Sequence, residues 1–355
     1  MNRVRAIREL GQQIWLDDLS RGLIESGELN RLIGEDGLAG VTSNPAIFRQ
    51  AILKDPRYID AKAALPASLT DPEARFEALA LPDIQAACDA FLPLYQASQG
   101  DMGYVSFEVS PSLAHDAAGT VVAAKRLWQT IDRPNVMIKI PATAAGCQAI
   151  TETLAAGINV NVTLMFSPEH VEQVFAAYVA GLQARVAAGL PVDHLRSVAS
   201  VFISRVDTKI DAQLPDSAAQ LKGKLAVASA QVAYQTWRQH FDPQGSFKAL
   251  HEQGARPQSL LWASTGTKNP AYSDVLYVET LIGPDTVNTV PGATLAAFRD
   301  HGQAARTLDA DPDRAQQWVT DAAAIGIDLN AVGRVLQDEG LKLFEQAFAE
   351  LLAAV

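Results

Sequence analysis

Val136-Met137-Ile138-Lys139-Ile140-Pro141 is the stretch from which the fold can be argued. Five of its six residues are apolar, and turn-forming residues flank it: Asp132-Arg133-Pro134-Asn135 before, Ala142-Thr143 after. A short apolar run without polar alternation is the pattern of a strand covered on both faces, the habit of parallel sheets. A lysine in its midst is costly to bury unless it is paired or its pKa falls. Two readings follow. Lys139 snorkels to water from a strand end, or it is a desolvated amine, a nucleophile that attacks carbonyl groups to form a Schiff base.

Outward from this strand the chain repeats one unit. Seven further runs have strand character: Gln13–Asp18, Leu38–Ser43, Tyr104–Val109, Asn159–Leu164, Val198–Ile203, Leu260–Ser264 and Thr286–Pro291. Amphipathic helical patterns lie between them, clearest over Pro72–Gln99, Ala114–Ile131, Ala144–Ala156, Pro168–Ala188, Ala218–His240 and Thr294–His301. Asp71-Pro72 and Ser167-Pro168 each set a cap before a first-turn proline, and Ser112 and Thr143 are candidate caps. Eight strands alternating with helices predict an α/β fold of the closed (β/α)8 TIM-barrel type. An open doubly wound sheet is the alternative, but no GxGxxG turn supports a dinucleotide version.

Residues 1–355 are expected to form one barrel domain with extra helices, since no convincing linker divides them. Lys54 to Leu69 reads as a surface excursion, and about fifty residues separate strands six and seven. Asp328 to Ala353 predicts a long C-terminal helix whose apolar residues, among them Val332, Val335, Leu336, Leu343, Phe344 and Phe348, close a barrel end or meet a second copy.

Composition narrows the function. At 48% hydrophobic and 19% charged, the 355 residues can bury a sizeable core. Twenty-nine Lys and Arg against 40 Asp and Glu give a net charge of −11, which argues against nucleic acid or an anionic membrane as partner. An anionic substrate therefore needs a local cluster of cations. Two cysteines without CxxC spacing, scattered histidines and no HExxH argue against a disulfide framework or a zinc site, and fit a reducing cytosol. The amino-terminal residues lack an apolar signal core, and the longest uncharged run, Thr153 to Pro168, is too short to span a bilayer.

In a barrel the active site lies at the C-terminal strand ends. Asp17-Asp18, Thr42-Ser43-Asn44, Ser106 and Glu108, Lys139, Asn161 and Thr163, Ser200, Ser264 to Lys268, and Asn288-Thr289 fall there. Each has an ordinary explanation alone: Asp17 or Asp18 as a helix cap, Asn44 as a turn residue, Glu108 paired with a surface arginine. Asn161 and Thr163 alternate and share one face of their strand. Jointly, a lysine, two carboxylates, two asparagines and a threonine suit imine chemistry on a polyhydroxylated carbonyl compound. Arg205 and Lys268 are candidate phosphate ligands.

These residues sit in motifs that resemble transaldolases. They are Trp15-Leu16-Asp17-Asp18-Leu19, Gly40-Val41-Thr42-Ser43-Asn44-Pro45, Ile138-Lys139-Ile140-Pro141-Ala142-Thr143, Gly157 to Leu164, and Ser200-Val201-Phe202-Ile203-Ser204-Arg205. Ala263 to Pro270 is similar to the bacterial subgroup of this length. The resemblance runs in order from about Gln13 to Val290 and implies a barrel using neither metal nor organic cofactor. It implies transfer of a dihydroxyacetone unit from sedoheptulose 7-phosphate to glyceraldehyde 3-phosphate, giving erythrose 4-phosphate and fructose 6-phosphate; the chain is expected to be a cytoplasmic monomer or homodimer. It makes Lys139 the Schiff-base residue and Asp17 the acid/base at the C4 hydroxyl. Glu108 and Thr163 would hold the water of carbinolamine formation and loss. Asn44, Asn161 and Ser200 would bind the three-carbon unit, Phe202 would line the site, and Arg205 and Ser264 would bind phosphate. Many transaldolases have arginine where Gly266 stands, and Lys268 is expected to supply that charge. The alternatives are a fructose-6-phosphate aldolase that releases dihydroxyacetone to water, and a catalytically silent sugar-phosphate binder.

Overall fold

The computed structural model describes residues 2–355. Its strands are β1 (Gln12–Leu16), β2 (Gly40–Thr42), β3 (Tyr104–Glu108), β4 (Val136–Pro141), β5 (Val160–Met165), β6 (Ser197–Phe202), β7 (Ser259–Ala263) and β8 (Thr286–Val290). They close into one parallel barrel in chain order, β1 pairing with both β2 and β8. Every residue of β4 and β5 is buried, because helices cover the outside and side chains fill the inside.

The register gathers the polar residues. Glu108 is the Cα partner of Lys139, and Lys139 of Asn161, so three adjacent strands carry them at one level. β5 then shifts register between Val162 and Met165, and Leu164 adopts a left-handed φ of 60°. Such a bulge re-aims the strand end beside the site. Gly40 is needed inside β2, since a Cβ there would lie 2.7 Å from the Trp15 ring and from the Tyr104 carbonyl.

Helix caps follow the sequence in three cases. Asp71, Ser167 and Thr143 each accept a backbone N–H of the first turn. Ser112 does not: it lies in a 3-10 turn, its hydroxyl 2.9 Å from that of Ser110, and Asp116 caps a helix that starts at Ala117. The helix expected from Ala218 begins at Leu225, after Gly223 takes a left-handed φ of 69°. Its cap comes from elsewhere, as Asp207 accepts the Ala226 N–H at 2.8 Å. Lys54–Leu69 is more than an excursion: it includes the helix Arg57–Ala63, whose buried Tyr58 donates to Asp83 at 2.7 Å.

The long helix Leu329–Leu352 lies over the barrel mouth as a roof, packed on the helix Pro45–Lys54 and the end of β5. Gln337 ties it down, donating to the carbonyls of Ala142 at 2.9 Å and Leu164 at 3.1 Å. Two residues assigned above to its apolar face, Val335 and Leu343, point to solvent instead, 45% and 51% exposed. No helix among the described residues is long and apolar enough to cross a membrane.

Candidate active site

Lys139 sits at the base of the mouth with its side chain 6% exposed. Its Nζ is 3.2 Å from Glu108 Oε2 and donates to the Ser43 carbonyl at 3.1 Å. Glu108 thus pairs with the buried lysine and not with a surface arginine. Burial pushes the Glu108 carboxyl above its ordinary value, against the opposing charge of Lys139. Asp17 is likewise pushed up by burial, against Lys139 and a hydrogen bond from Thr42. Both carboxyls are therefore better proton acceptors than carboxylates in water.

Asp17 caps no helix; Ser20 caps the one that follows. Its Oδ1 accepts the Thr42 hydroxyl at 2.6 Å, and the Thr289 hydroxyl lies 2.7 Å from that of Thr42. Asp18 is exposed, as strand alternation requires. Asn44 is both turn and site: its Oδ1 accepts the Ile47 N–H at 3.0 Å, capping Pro45–Lys54, while the residue lines the mouth. Asn161 donates to Ser106 Oγ at 2.9 Å and accepts from the Ser200 hydroxyl at 2.7 Å. The buried Thr163 hydroxyl has no partner within the described protein, leaving it free for water or substrate.

A cavity of about 200 Å³ opens above the lysine. Asp17, Asn44, Lys139, Thr163, Ser200, Phe202, Arg205, Ser264 and Lys268 all line it, whereas Glu108 and Asn161 lie outside its lining. Neither Arg205 nor Lys268 makes an ion pair or side-chain hydrogen bond among the described residues, so both cations face the opening without a contact partner. Arg205 lies in the first turn of the helix Ser204–Asp211, its guanidinium 5.6 Å from the centre of the Phe202 ring. Ser264 has a left-handed φ of 54°, and its hydroxyl is 3.0 Å from that of Ser204. A Cβ on Gly266 would meet Pro291 Cγ at 3.1 Å, so a larger residue there requires the Pro291 ring to give by a few tenths of an ångström.

Sequence reasoning gave roles to eleven residues at this mouth. It also set Thr42 and Thr289 at the strand ends but gave them no role, since their hydroxyls are indistinguishable in sequence from ordinary ones. Phe344, from the roof helix, has its ring centre 5.8 Å from Lys139 Nζ. Helical periodicity marks it as apolar but not what it covers. A second hollow of about 890 Å³, lined by Gln13, Arg196, Arg238 and Arg256 among others, lies at the opposite barrel end, away from the lysine.

A buried amine beside two carboxyls pushed up by burial, with cations at the lip, is an arrangement chemically capable of imine formation with a phosphorylated carbonyl compound, the chemistry of lysine-dependent aldolases. A family model described as transaldolase/fructose-6-phosphate aldolase matches residues 14–355. The Thiobacillus denitrificans transaldolase is 50% identical over 359 residues, covering 100% of both chains. That of Neisseria gonorrhoeae is 52% identical over 347 residues, 98% of this chain and 97% of the relative; that of Mycobacterium tuberculosis is 44% identical, covering 98% and 94%. The chain belongs to the transaldolase/fructose-6-phosphate aldolase family.

Proposed function

We propose that this chain is a transaldolase that moves a dihydroxyacetone unit from sedoheptulose 7-phosphate to glyceraldehyde 3-phosphate through an imine on Lys139. Relatives of that name match it at about half identity over their full length. The observation that carries the site assignment is the Lys139–Glu108 pair, 3.2 Å apart at the floor of the cavity. An ammonium cannot attack a carbonyl, and a carboxyl raised by burial is a fitting acceptor for its proton.

The neutral amine adds to the ketose carbonyl carbon, giving a carbinolamine. Loss of its hydroxyl as water, protonated from Glu108 with Thr163 holding the water, gives the imine. Asp17 takes the C4 hydroxyl proton; the C3–C4 bond breaks into the imine, the aldehyde leaves, and an enamine remains on Lys139. Attack of that carbon on the second aldehyde reverses these steps, Asp17 returning its proton. Asn44, Asn161 and Ser200 hold the hydroxyls of the three-carbon unit, Phe202 walls the site, and Arg205, Ser264 and Lys268 hold phosphate. We place the reaction in the cytosol, consistent with free Cys88 and Cys147, in a monomer or homodimer.

Borohydride added during turnover of fructose 6-phosphate should leave one reduced three-carbon unit on Lys139, and none on Lys139→Ala, which should be inactive yet folded. A mass adduct elsewhere, or a Lys139→Ala enzyme with near-normal turnover, would overturn the assignment. Release of dihydroxyacetone without acceptor, as fast as turnover with it, would make the enzyme a lyase.

A further inference from the structure

We infer that Thr289 is a positioning residue for the carbon–carbon bond step: acting through Thr42, it aims the hydroxyl that holds Asp17. This rests on the role proposed above for Asp17 at the C4 hydroxyl.

Asp17 stands at the seam where the barrel closes. β1 pairs with β2 on one side and with β8 on the other. The ladder to β8 runs one residue past the strand, the Asp17 N–H donating to the Val290 carbonyl at 2.8 Å. Thr42 is the last residue of β2, and Thr289 the last but one of β8. Both are buried, both line the cavity with Asp17, and their hydroxyls meet there. Thr289 is also held from behind. The Thr265 hydroxyl faces Asn288 Oδ1 at 2.9 Å and the Thr289 carbonyl at 3.0 Å, which ties the end of β8 to the loop after β7.

Counting hydrogens gives these contacts a direction. A threonine hydroxyl has one hydrogen to donate, and an ionised carboxylate has none. The 2.6 Å contact with Asp17 therefore consumes the Thr42 hydrogen. The 2.7 Å contact between the threonines is then made with the hydrogen of Thr289. Thr289 donates to Thr42, and Thr42 to Asp17. A chain that ends on a carboxylate strengthens link by link, and it favours the ionised form, the one that takes the C4 hydroxyl proton. Burial opposes that form, whereas Lys139, the Thr42 hydroxyl and Lys268 favour it. Glu108 and Asp18, each pushed up chiefly by burial, are the carboxyls that share its field. The lysines supply charge without direction. The hydroxyl chain engages one oxygen of Asp17 and leaves the other to the substrate. Without the Thr289 hydroxyl, Thr42 loses its donor, becomes a poorer donor itself, and lets the Asp17 carboxyl rise further.

The test is the pH dependence of kcat in the full-length enzyme, with fructose 6-phosphate as donor and erythrose 4-phosphate as acceptor. Activity that needs ionised Asp17 climbs with pH through the pKa of that carboxyl, so a raised carboxyl moves the acidic limb to higher pH. Thr289→Val should move the limb up by at least about half a pH unit, and Thr289→Ser should restore it. Imine formation precedes the Asp17 step. Borohydride added early in turnover should therefore find more uncleaved six-carbon unit, and less three-carbon unit, on Lys139 in Thr289→Val than in wild type. A higher KM with an unmoved limb would make Thr289 a substrate ligand. A lower kcat at every pH with the wild-type adduct ratio would make it structural. Either result overturns the inference. If Thr289→Val does not fold, Thr289→Ala decides by the same two readouts. An Asp17→Asn enzyme that cleaves at the wild-type rate would overturn the role of Asp17 itself, and with it the ground for Thr289.

Discussion

At the scale of single residues, the site works by giving one side chain two employments. Asn44 uses its carbonyl oxygen to accept the Ile47 N–H, which turns its NH2 group, a donor, toward substrate. Asp caps helices as well as Asn but cannot donate when ionised. Asn44→Asp should therefore keep the melting temperature within a degree or two yet lower kcat/KM by at least about tenfold; equal losses of stability and activity would show that the residue is only a cap. Arg205 is simpler. With no contact ion pair among the described residues, its guanidinium is free to meet an anionic ligand. Arg205→Ala should raise KM for the sugar phosphate by roughly 10- to 100-fold with a smaller change in kcat, the pattern of lost uniform binding. An unchanged KM would move phosphate recognition to Lys268 and Ser264.

At the scale of elements, the eight strands were legible because each is a short apolar run between turn signals, and caps were legible where side chain and helix are neighbours, as at Asp71 and Ser167. What failed was anything supplied across space. The start of Leu225–His240 depends on Asp207, eighteen residues before it, and Asp116 took the capping role from Ser112 because residues 111–113 are already turned. The site was legible from its strand-borne groups, since alternation fixes which residues face inward; Phe344 was not, since helical periodicity gives a face without its neighbour. The roof helix offers a test of seating. Gly333→Ala gains helix propensity of about 1 kcal/mol, yet its Cβ meets Ser167 Cβ at 2.4 Å, and Ser167 cannot retreat without loosening its own cap. We expect a net loss of about 1–3 kcal/mol, seen as a lower melting temperature. A variant as stable as wild type would mean the helix sits higher than described.

At the scale of the whole molecule, buried carboxyls make stability depend on pH. Asp207 accepts from Ala226 N–H and Tyr277 O–H, both at 2.8 Å, joining the helices Ser204–Asp211, Leu225–His240 and Leu276–Glu279. Burial pushes its carboxyl from 3.8 up to about 6. Between those values the folded chain binds more protons than the unfolded one, so this group contributes stability fully present below the lower value and lost as pH rises through the upper. The span corresponds to about 3 kcal/mol. Relative to Asp207→Asn, which cannot titrate, the wild type should gain melting temperature as pH falls from 8 to 5. A constant difference between the two proteins across that range would remove Asp207 from the account.

The pairing of β1 with β8, Gln12 opposite Thr286, bears on how the chain is made. A ribosome must deliver some 270 residues beyond the first strand before that strand acquires its last neighbour, a separation that slows folding. Until then the nascent sheet keeps two open rims of unpaired backbone, and the roof has yet to be translated. Polypeptides stalled short of Thr286 are thus the form of this protein most prone to aggregate, whereas the finished cylinder offers a foreign strand no edge to join.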